Sequence, residues 1–485
     1  MRGAEIKALT GLRIVAAVWV VLFHFRPLLY QVAPDVTEAL APVLDRGAQG
    51  VDLFFILSGF VLTWNYLDRM GPAWSTRATL HFLWLRLSRV WPVYLVTLHL
   101  AALWLIFTLN VGHIPPEDTS GYNAVSYVRQ LFLVQLWFEP YFDGSSWDGP
   151  AWSISAEWLA YLLFGALILV IFRIARATRA RSLVLLAIAA ALPPVVLLMA
   201  TGHFYTPWSW LPRIVMQFTA GALACAAVRK LHLTERTQKR AGYLSIVLGA
   251  VIVGGLYFFD KHPMNTVGDA GGMVDILFVP QVVALAVGVG SLPALLSTRL
   301  LVYGGQISFG LYMVHELVHT AWIWTTRQFE LTLTPTLSGK ATLLGLFAIS
   351  LVGAIALYHL VEEPARRWMR RMVDIRPVEQ ANTKLHRIDT EDRSDEVAAR
   401  AADACNLPNP LCDRLLCPCY HCVTGRLSTA EVHPIGYPGI AVRDDLCLAG
   451  SGGCSESSDH FHRLACPPGG AVHTCSVSAL RHLGT

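Results

Sequence analysis

The amino-acid sequence predicts an all-α protein, a polytopic membrane bundle of about ten transmembrane helices. Hydrophobic residues make up 54% of the 485-residue chain and charged residues only 15%, which is far from the composition of an average soluble domain. Apolar runs of about twenty residues, the length needed to cross a bilayer, recur from the N-terminus to residue 361. The chain therefore belongs to the class of multi-pass membrane proteins.

The sequence contains about ten such spans. They are expected at residues 9–29, 51–67, 91–110, 151–172, 183–200, 209–228, 242–259, 274–292, 305–326 and 341–361. Residues 125–138 are apolar but too short to cross, and Arg129, Gln130 and Gln135 interrupt them. That stretch is predicted to be interfacial or re-entrant.

Positive charge is concentrated in alternate loops. The basic loops contain Arg69, Arg77, Arg86 and Arg89; Arg173, Arg176, Arg179 and Arg181; Arg229, Lys230, Arg236, Lys239 and Arg240; and Arg366, Arg367, Arg370 and Arg371. Loop 201–210 has no lysine or arginine and loop 111–150 has only Arg129. By the positive-inside rule, both ends of the membrane domain are expected in the cytoplasm, with the protein in the cell membrane. The net charge of +4 is small and no basic stripe accompanies it, so no nucleic-acid partner is expected.

The chain changes character after the last span. Residues 1–375 form the predicted membrane domain, and residues 376–404 are a polar linker of mixed charge. Residues 405–485 hold nine of the ten cysteines. Cys417, Cys419 and Cys422 lack the paired spacing of a zinc site, so no metal is expected and the tail is predicted to be poorly ordered.

The first span contains two ionisable residues, Arg13 and His24. Eleven residues are close to three helical turns, so both side chains project from one face, about 16 Å apart along the axis. An ionisable residue inside a membrane span is by default a candidate functional residue. The alternative is a structural histidine that hydrogen-bonds to a neighbouring helix.

Two further groups of polar residues lie in spans two and three. Asp52 stands at the outer end of span two, where it could line a cavity or serve only as an interfacial cap. Arg86 and Arg89 lie at the cytoplasmic entrance to span three, one helical turn apart, where they can grip a phosphate together. Their alternative role is ordinary membrane anchoring. Ser58 and Gly59 are interpreted as helix-packing residues.

The fourth span begins with a polar segment after Pro150, a residue typical of a first helical turn. Trp152, Ser153 and Ser155 are predicted to line a cavity. Glu157 is expected about 10 Å deep from the outer side, where it could perform acid–base chemistry or make a structural hydrogen bond.

The ninth span carries Tyr312 and His315, which are also predicted to line an internal cavity. His315 and His319 share a helix face, but no third ligand stands at a suitable spacing for a metal ion.

Taken in order, these residues resemble the membrane acyltransferase-3 family over residues 7–372. The motifs that carry the resemblance are Arg13-x10-His24, GVDLFFILSGF at 50–60, Arg86-x-x-Arg89, Trp152-Ser153-Ile154-Ser155-Ala156-Glu157, Leu311-Tyr312-Met313-Val314-His315 and Val361-Glu362-Glu363-Pro364. The resemblance implies an integral membrane enzyme that transfers an acyl group, commonly acetyl, from acyl-CoA to a hydroxyl. It implies acceptors such as cell-envelope glycans, lipid-linked sugars and sugar-bearing natural products, including macrolides.

The same resemblance assigns roles to particular residues. His24 corresponds to the principal catalytic residue, Arg13 to its functional companion, and Arg86 with Arg89 to the arginines associated with donor binding. Glu157 corresponds to a glutamate of the tryptophan-serine motif, but here Trp158 follows it instead of a second acid.

Helical rise gives a first arrangement of the site. Arg13, Arg86 and Arg89 are expected near the cytoplasmic side, where they would hold the nucleotide of CoA, whereas His24 and Glu157 are expected together in the outer half. In this hypothesis neutral His24 is the general base, and an acyl-His24 intermediate is the rival route. A transporter of anionic or acylated compounds is the alternative function, since it would also place ionisable residues inside a bundle.

Overall fold

The computed structural model describes residues 5–112, 121–141, 147–203, 206–262 and 269–373. These residues form fifteen α-helices and no strand, which confirms the predicted all-α class. The linker 376–404 and the cysteine-rich tail 405–485 lie outside the described residues, and the membrane domain forms a compact unit of its own that ends at Asp374.

The helices follow the expected spans with shifted ends. In chain order they are α1 (Lys7–Val32), α2 (Pro34–Leu44), α3 (Gln49–Met70), α4 (Thr76–Asn110), α5 (Ala124–Leu131), α6 (Trp152–Ala177), α7 (Ala180–Ala190), α8 (Leu192–Thr201), α9 (Trp210–Val228), α10 (Glu235–Lys261), α11 (Phe278–Val287), α12 (Ser291–Leu296), α13 (Arg299–Gln328), α14 (Leu337–Ala356) and α15 (Glu363–Met372).

Eight helical segments of the described chain are long and apolar enough to cross a membrane. The other two expected spans correspond to α11 and α13. Helix α11, together with the turn before it, forms only a short apolar helix. Helix α13 is 30 residues long, but its polar residues, among them His315, Glu316 and His319, lower its hydropathy. The expected polytopic bundle is thus confirmed, although the last spans are less regular than the sequence predicts.

Close packing of α3 on α9 forms the centre of the bundle. A Cβ atom on Gly59 would lie 1.9 Å from the Phe218 carbonyl oxygen, and one on Gly221 would lie 2.0 Å from that of Ile56. Small residues of this kind let two membrane helices approach each other at backbone distance. Helices α1 and α13 meet in the same way, with Gly305 against the Thr10 carbonyl. This second contact brings the polar residues of α1 and α13 together.

Helix α4 begins well before the expected start of span three. Its N-cap is Ser75, whose hydroxyl accepts a hydrogen bond from the Ala78 amide (3.2 Å), as is typical of a helix start. Arg86 and Arg89 therefore lie inside a continuous helix and not at its entrance. The short helix α5 does not span the membrane, as predicted for that segment.

The last span does not end as a regular α-helix. Residues Leu357–Glu362 form a π-helical turn between α14 and α15, a feature often found at functional sites. Glu362 is fully buried at the end of this turn.

Candidate functional site

The contact between α1 and α13 brings His24 and His315 together. The Nδ1 atom of His24 lies 2.9 Å from the Val20 carbonyl oxygen and 3.3 Å from Nε2 of His315. Their ring centroids are 4.9 Å apart, and His315 is fully buried. His24 thus contacts a polar side chain on a neighbouring helix.

The partners of the two rings determine where the protons are. A carbonyl oxygen only accepts hydrogen bonds, so His24 donates from Nδ1 to Val20, and His315 donates from Nδ1 to the Leu311 carbonyl (3.2 Å). Nε2 of His315 then carries a lone pair and accepts from His24 Nδ1. This assignment follows from the partners. It leaves Nε2 of neutral His24 unprotonated and, within the described chain, without a hydrogen-bond partner.

Glu316 completes the histidine cluster, which we define as His24, His315 and Glu316. The candidate ligand atoms of these three residues all lie within 4.8 Å of one another. Glu316 Oε1 also lies 3.4 Å from His319 Nδ1, while Oε2 has no hydrogen-bond partner among the described residues. These three side chains are of types that can hold a metal ion. Sequence reasoning missed Glu316, although it follows His315 directly.

A separate cavity of about 350 Å³ opens among α1, α3, α4, α6, α13, the π-helical turn and α15. We call it the arginine cavity, because Arg13, Arg86, Arg89 and Arg366 line it. The Nε atoms of Arg13 and Arg86 are buried and form no hydrogen bond within the described ranges. The expectation that Arg13, Arg86 and Arg89 lie at one depth is met, since they share this cavity. Glu5 and Glu362 also line it and partly balance the positive charge.

Glu157 lies in the arginine cavity and not beside His24. It accepts a short hydrogen bond from the Ser58 hydroxyl, and both residues line the cavity together with Tyr161. The expected proximity of Glu157 to His24 is therefore wrong, because rise along a helix fixes depth but not the direction of a side chain. Ser58, interpreted from sequence as packing, belongs to the cavity, whereas Gly59 packs as expected.

Tyr312 lies between the two polar regions. Its hydroxyl donates to the Pro150 carbonyl (2.9 Å) and is hydrogen-bonded to the Ser153 hydroxyl (2.8 Å). Ser155 instead fixes the preceding loop, since it donates to the Leu133 carbonyl (2.9 Å) and accepts from the Leu136 amide (3.3 Å). Ser153 and Ser155 thus position backbone around the start of α6.

Asp52 is fully buried in an ion pair and does not line the arginine cavity, contrary to the expectation for this residue. It accepts hydrogen bonds from Arg213 Nε (2.9 Å) and Nη2 (2.5 Å), and the guanidinium of Arg213 lies 5.7 Å from the ring of Trp152. Asp275 is a second fully buried acid, and Asp52 and Arg213 are the charged groups that act on it. Arg213, an arginine inside the apolar run 209–228, is the sequence feature that indicates this pair, and the sequence prediction did not include it.

Asp148 precedes the span that starts at Gly149. Its carboxylate accepts a hydrogen bond from the Thr97 hydroxyl (2.9 Å). Burial raises the pKa of Asp148 to about 7, because removing a carboxylate from water disfavours its charged form.

Comparison with known proteins assigns the membrane domain of this chain to a family. The family described as acyltransferase domain matches residues 6–359. Acyltransferase MdmB of Streptomyces mycarofaciens is 27% identical over 394 residues, which cover 76% of this chain and 94% of that protein. Protein 2 in picA locus of Rhizobium radiobacter is 31% identical over 164 residues, which cover 32% of this chain and 78% of that protein. No solved structure matches the chain.

Proposed function

The chain belongs to the membrane acyltransferase-3 family and is an acyltransferase, and from this premise we propose that it transfers an acyl group from acyl-CoA to a hydroxyl of a second substrate. Acetyl is the proposed acyl group. The proposed acceptor is a cell-envelope glycan, a glycolipid or a sugar-bearing natural product.

One observation supports this proposal most strongly. His24 has its Nδ1 proton engaged by Val20 and His315, which leaves Nε2 available as a base inside a membrane helix. A histidine held in one tautomer by a hydrogen bond to its other nitrogen is the usual form of a general base. The acidic Glu316 nearby would stabilise the imidazolium that forms when Nε2 takes a proton.

The proposed reaction needs no group other than the two substrates and these side chains. Nε2 of His24 removes the proton of the acceptor hydroxyl while the hydroxyl oxygen attacks the thioester carbonyl carbon. The tetrahedral intermediate then loses the CoA thiolate as the C–S bond breaks, and the proton passes from His24 to the thiolate. In the rival route Nε2 attacks the thioester carbonyl carbon and the C–S bond breaks, which releases the CoA thiolate and leaves acyl-His24. The acceptor hydroxyl then attacks the acyl carbon, the bond to Nε2 breaks, and the hydroxyl proton passes to the CoA thiolate.

The arginine cavity is the proposed donor site. Arg86 and Arg89 lie one turn apart on α4, and Arg13 and Arg366 face the same cavity, so several guanidinium groups can meet the phosphates of CoA. Buried Nε atoms without a hydrogen bond, on Arg13 and Arg86, are ready to donate to such a ligand. Glu157 and Ser58 are proposed to orient the donor within this cavity and not to act beside His24.

The topology proposed for the chain follows the basic loops. In this topology the arginine cavity faces the cytoplasmic side of the cell membrane and both ends of the membrane domain are in the cytoplasm, which the positive-inside rule supports. Acyl-CoA would enter from the cytoplasm, and the acceptor would reach His24 from the outer side.

Labelled acetyl-CoA tests this function in membranes. Membranes that contain the wild-type protein should transfer label to an acceptor in a base-labile ester, and membranes with His24→Ala should not. His262→Ala is the matched control, because His262 is exposed at the end of α10. Passage of label across sealed vesicles without any ester formation would contradict transfer and would support a transporter.

A further inference from the structure

The donor site and the proposed base are not connected by the arginine cavity. Arg13 and His24 stand on the same helix, about 16 Å apart by helical rise. The cavity is lined by Arg13, but its lining does not include His24. If the proposed function is correct, the acyl thioester has to pass from one region to the other.

Two aromatic rings occupy the route between these regions. The guanidinium of Arg13 lies 5.9 Å from the ring centre of Phe54. The Phe54 ring is 6.5 Å from that of Tyr312, which is 5.9 Å from that of His315, the partner of His24. Phe54 and Tyr312 thus form a continuous series of contacts from the donor site to the histidine cluster.

The two rings differ in how they are held. Tyr312 is buried, and its hydroxyl is hydrogen-bonded to Pro150 and Ser153. Phe54 is half-buried and faces the arginine cavity, where only ring and apolar contacts hold it. Rotation of Phe54 therefore breaks no hydrogen bond, whereas rotation of Tyr312 breaks two.

We propose that Phe54 is the partition between the donor site and His24 and that its side chain limits the length of the acyl group. This inference rests on the proposed function. In the position observed, the ring lies between the arginine cavity and Tyr312, which contacts the histidine cluster. A short acyl group needs only a small rotation of Phe54 to reach His24, while a longer chain must keep the ring displaced along more of its length.

Transfer of two acyl groups of different length tests this role. We expect Phe54→Ala to raise kcat/KM for hexanoyl-CoA relative to acetyl-CoA at least tenfold, and Phe54→Leu to give a smaller rise. Phe55→Leu is the matched control, because the neighbouring ring packs on Trp152 and lies outside the cavity lining. The control should leave the ratio within twofold of wild type.

The possible results separate the inference from the function. A ratio within twofold of wild type in Phe54→Ala and Phe54→Leu, with acetyl transfer retained, would overturn the partition. If the alanine variant is not monodisperse in detergent, Phe54→Leu and Phe54→Trp test the partition in its place. Phe54→Trp should slow acetyl transfer at unchanged acetyl-CoA affinity. Weaker acetyl-CoA binding in Phe54→Trp would overturn the partition, since it would make Phe54 a donor-binding residue. A wild-type protein that transfers neither group would overturn the proposed function and this inference with it.

Discussion

At the scale of single residues, the proposed chemistry depends on which nitrogen of His24 holds the proton. The Val20 carbonyl and His315 Nε2 both accept from Nδ1, so the reactive lone pair is on Nε2. In the proposed mechanism His315 is therefore a positioning residue, which holds the tautomer and the ring orientation of His24.

Replacing His315 tests this positioning role. His315→Gln retains an amide oxygen that can accept from His24 Nδ1, whereas His315→Phe cannot. We expect kcat to fall about tenfold or more in the phenylalanine variant and less in the glutamine variant, with little change in KM for the donor. The measurement is a pH–rate profile of kcat for each purified variant. Equal losses in the two variants, with unchanged profiles, would reduce His315 to a packing residue.

The arginine pair on α4 gives a second prediction at this scale. Removing both guanidinium groups in Arg86→Ala/Arg89→Ala removes the contacts proposed for the CoA phosphates, each worth about 1.5–3 kcal/mol as a charged hydrogen bond. We expect acetyl-CoA to bind at least tenfold more weakly, measured by calorimetry in detergent. Arg129→Ala, which removes a half-buried arginine paired with Glu139 outside the arginine cavity, is the control. Unchanged donor affinity in the double variant would exclude the pair from the site.

At the scale of helices, the buried Asp52–Arg213 pair joins α3 to α9 where glycines already bring their backbones together. Arg213→Met should be strongly destabilising, by about 3–5 kcal/mol, because the buried carboxylate of Asp52 then loses its cation. Adding Asp52→Asn to that variant should recover part of the loss. The measurement is the thermal midpoint in detergent, and a double variant no more stable than the single one would contradict the pairing.

The positions of polar side chains on the helices could be predicted only in part from the sequence. Helical rise predicted that Arg13, Arg86 and Arg89 lie near one another, and these three residues do line one cavity. It failed for Glu157, since packing of α6 against α3 sets the direction of that side chain toward Ser58. His24 has His315 and Glu316 as neighbours, and Asp52 is paired with Arg213. In both cases the second side chain lies on another helix. No pattern within one span contains that information.

At the scale of the whole molecule, stability should depend on pH through Asp148. Its pKa is raised to about 7 in the folded protein and is close to 3.9 when unfolded. Between these values the folded state keeps a proton that the unfolded state has lost, so stability falls as pH rises from about 4 to 7 and stays low above it.

Asp148→Asn should remove this pH dependence. The neutral amide carries no charge to bury, so the difference in thermal midpoint between pH 5 and pH 8 should shrink relative to wild type. The expected gain at pH 8 is on the order of 4 kcal/mol at most, from the shift of about three units. A variant with the same pH dependence as wild type would show that another group is responsible.

In the proposed function the membrane domain separates donor binding from chemistry along one helix, since Arg13 lines the arginine cavity and His24 belongs to the histidine cluster. The most direct test is to measure acetyl-CoA affinity and acetyl turnover in purified wild type and His24→Ala. We expect affinity to stay within about threefold while turnover falls by about 10²–10⁴-fold, the usual contribution of a general acid–base group. Turnover retained in the alanine variant would contradict the assignment of His24 as the base.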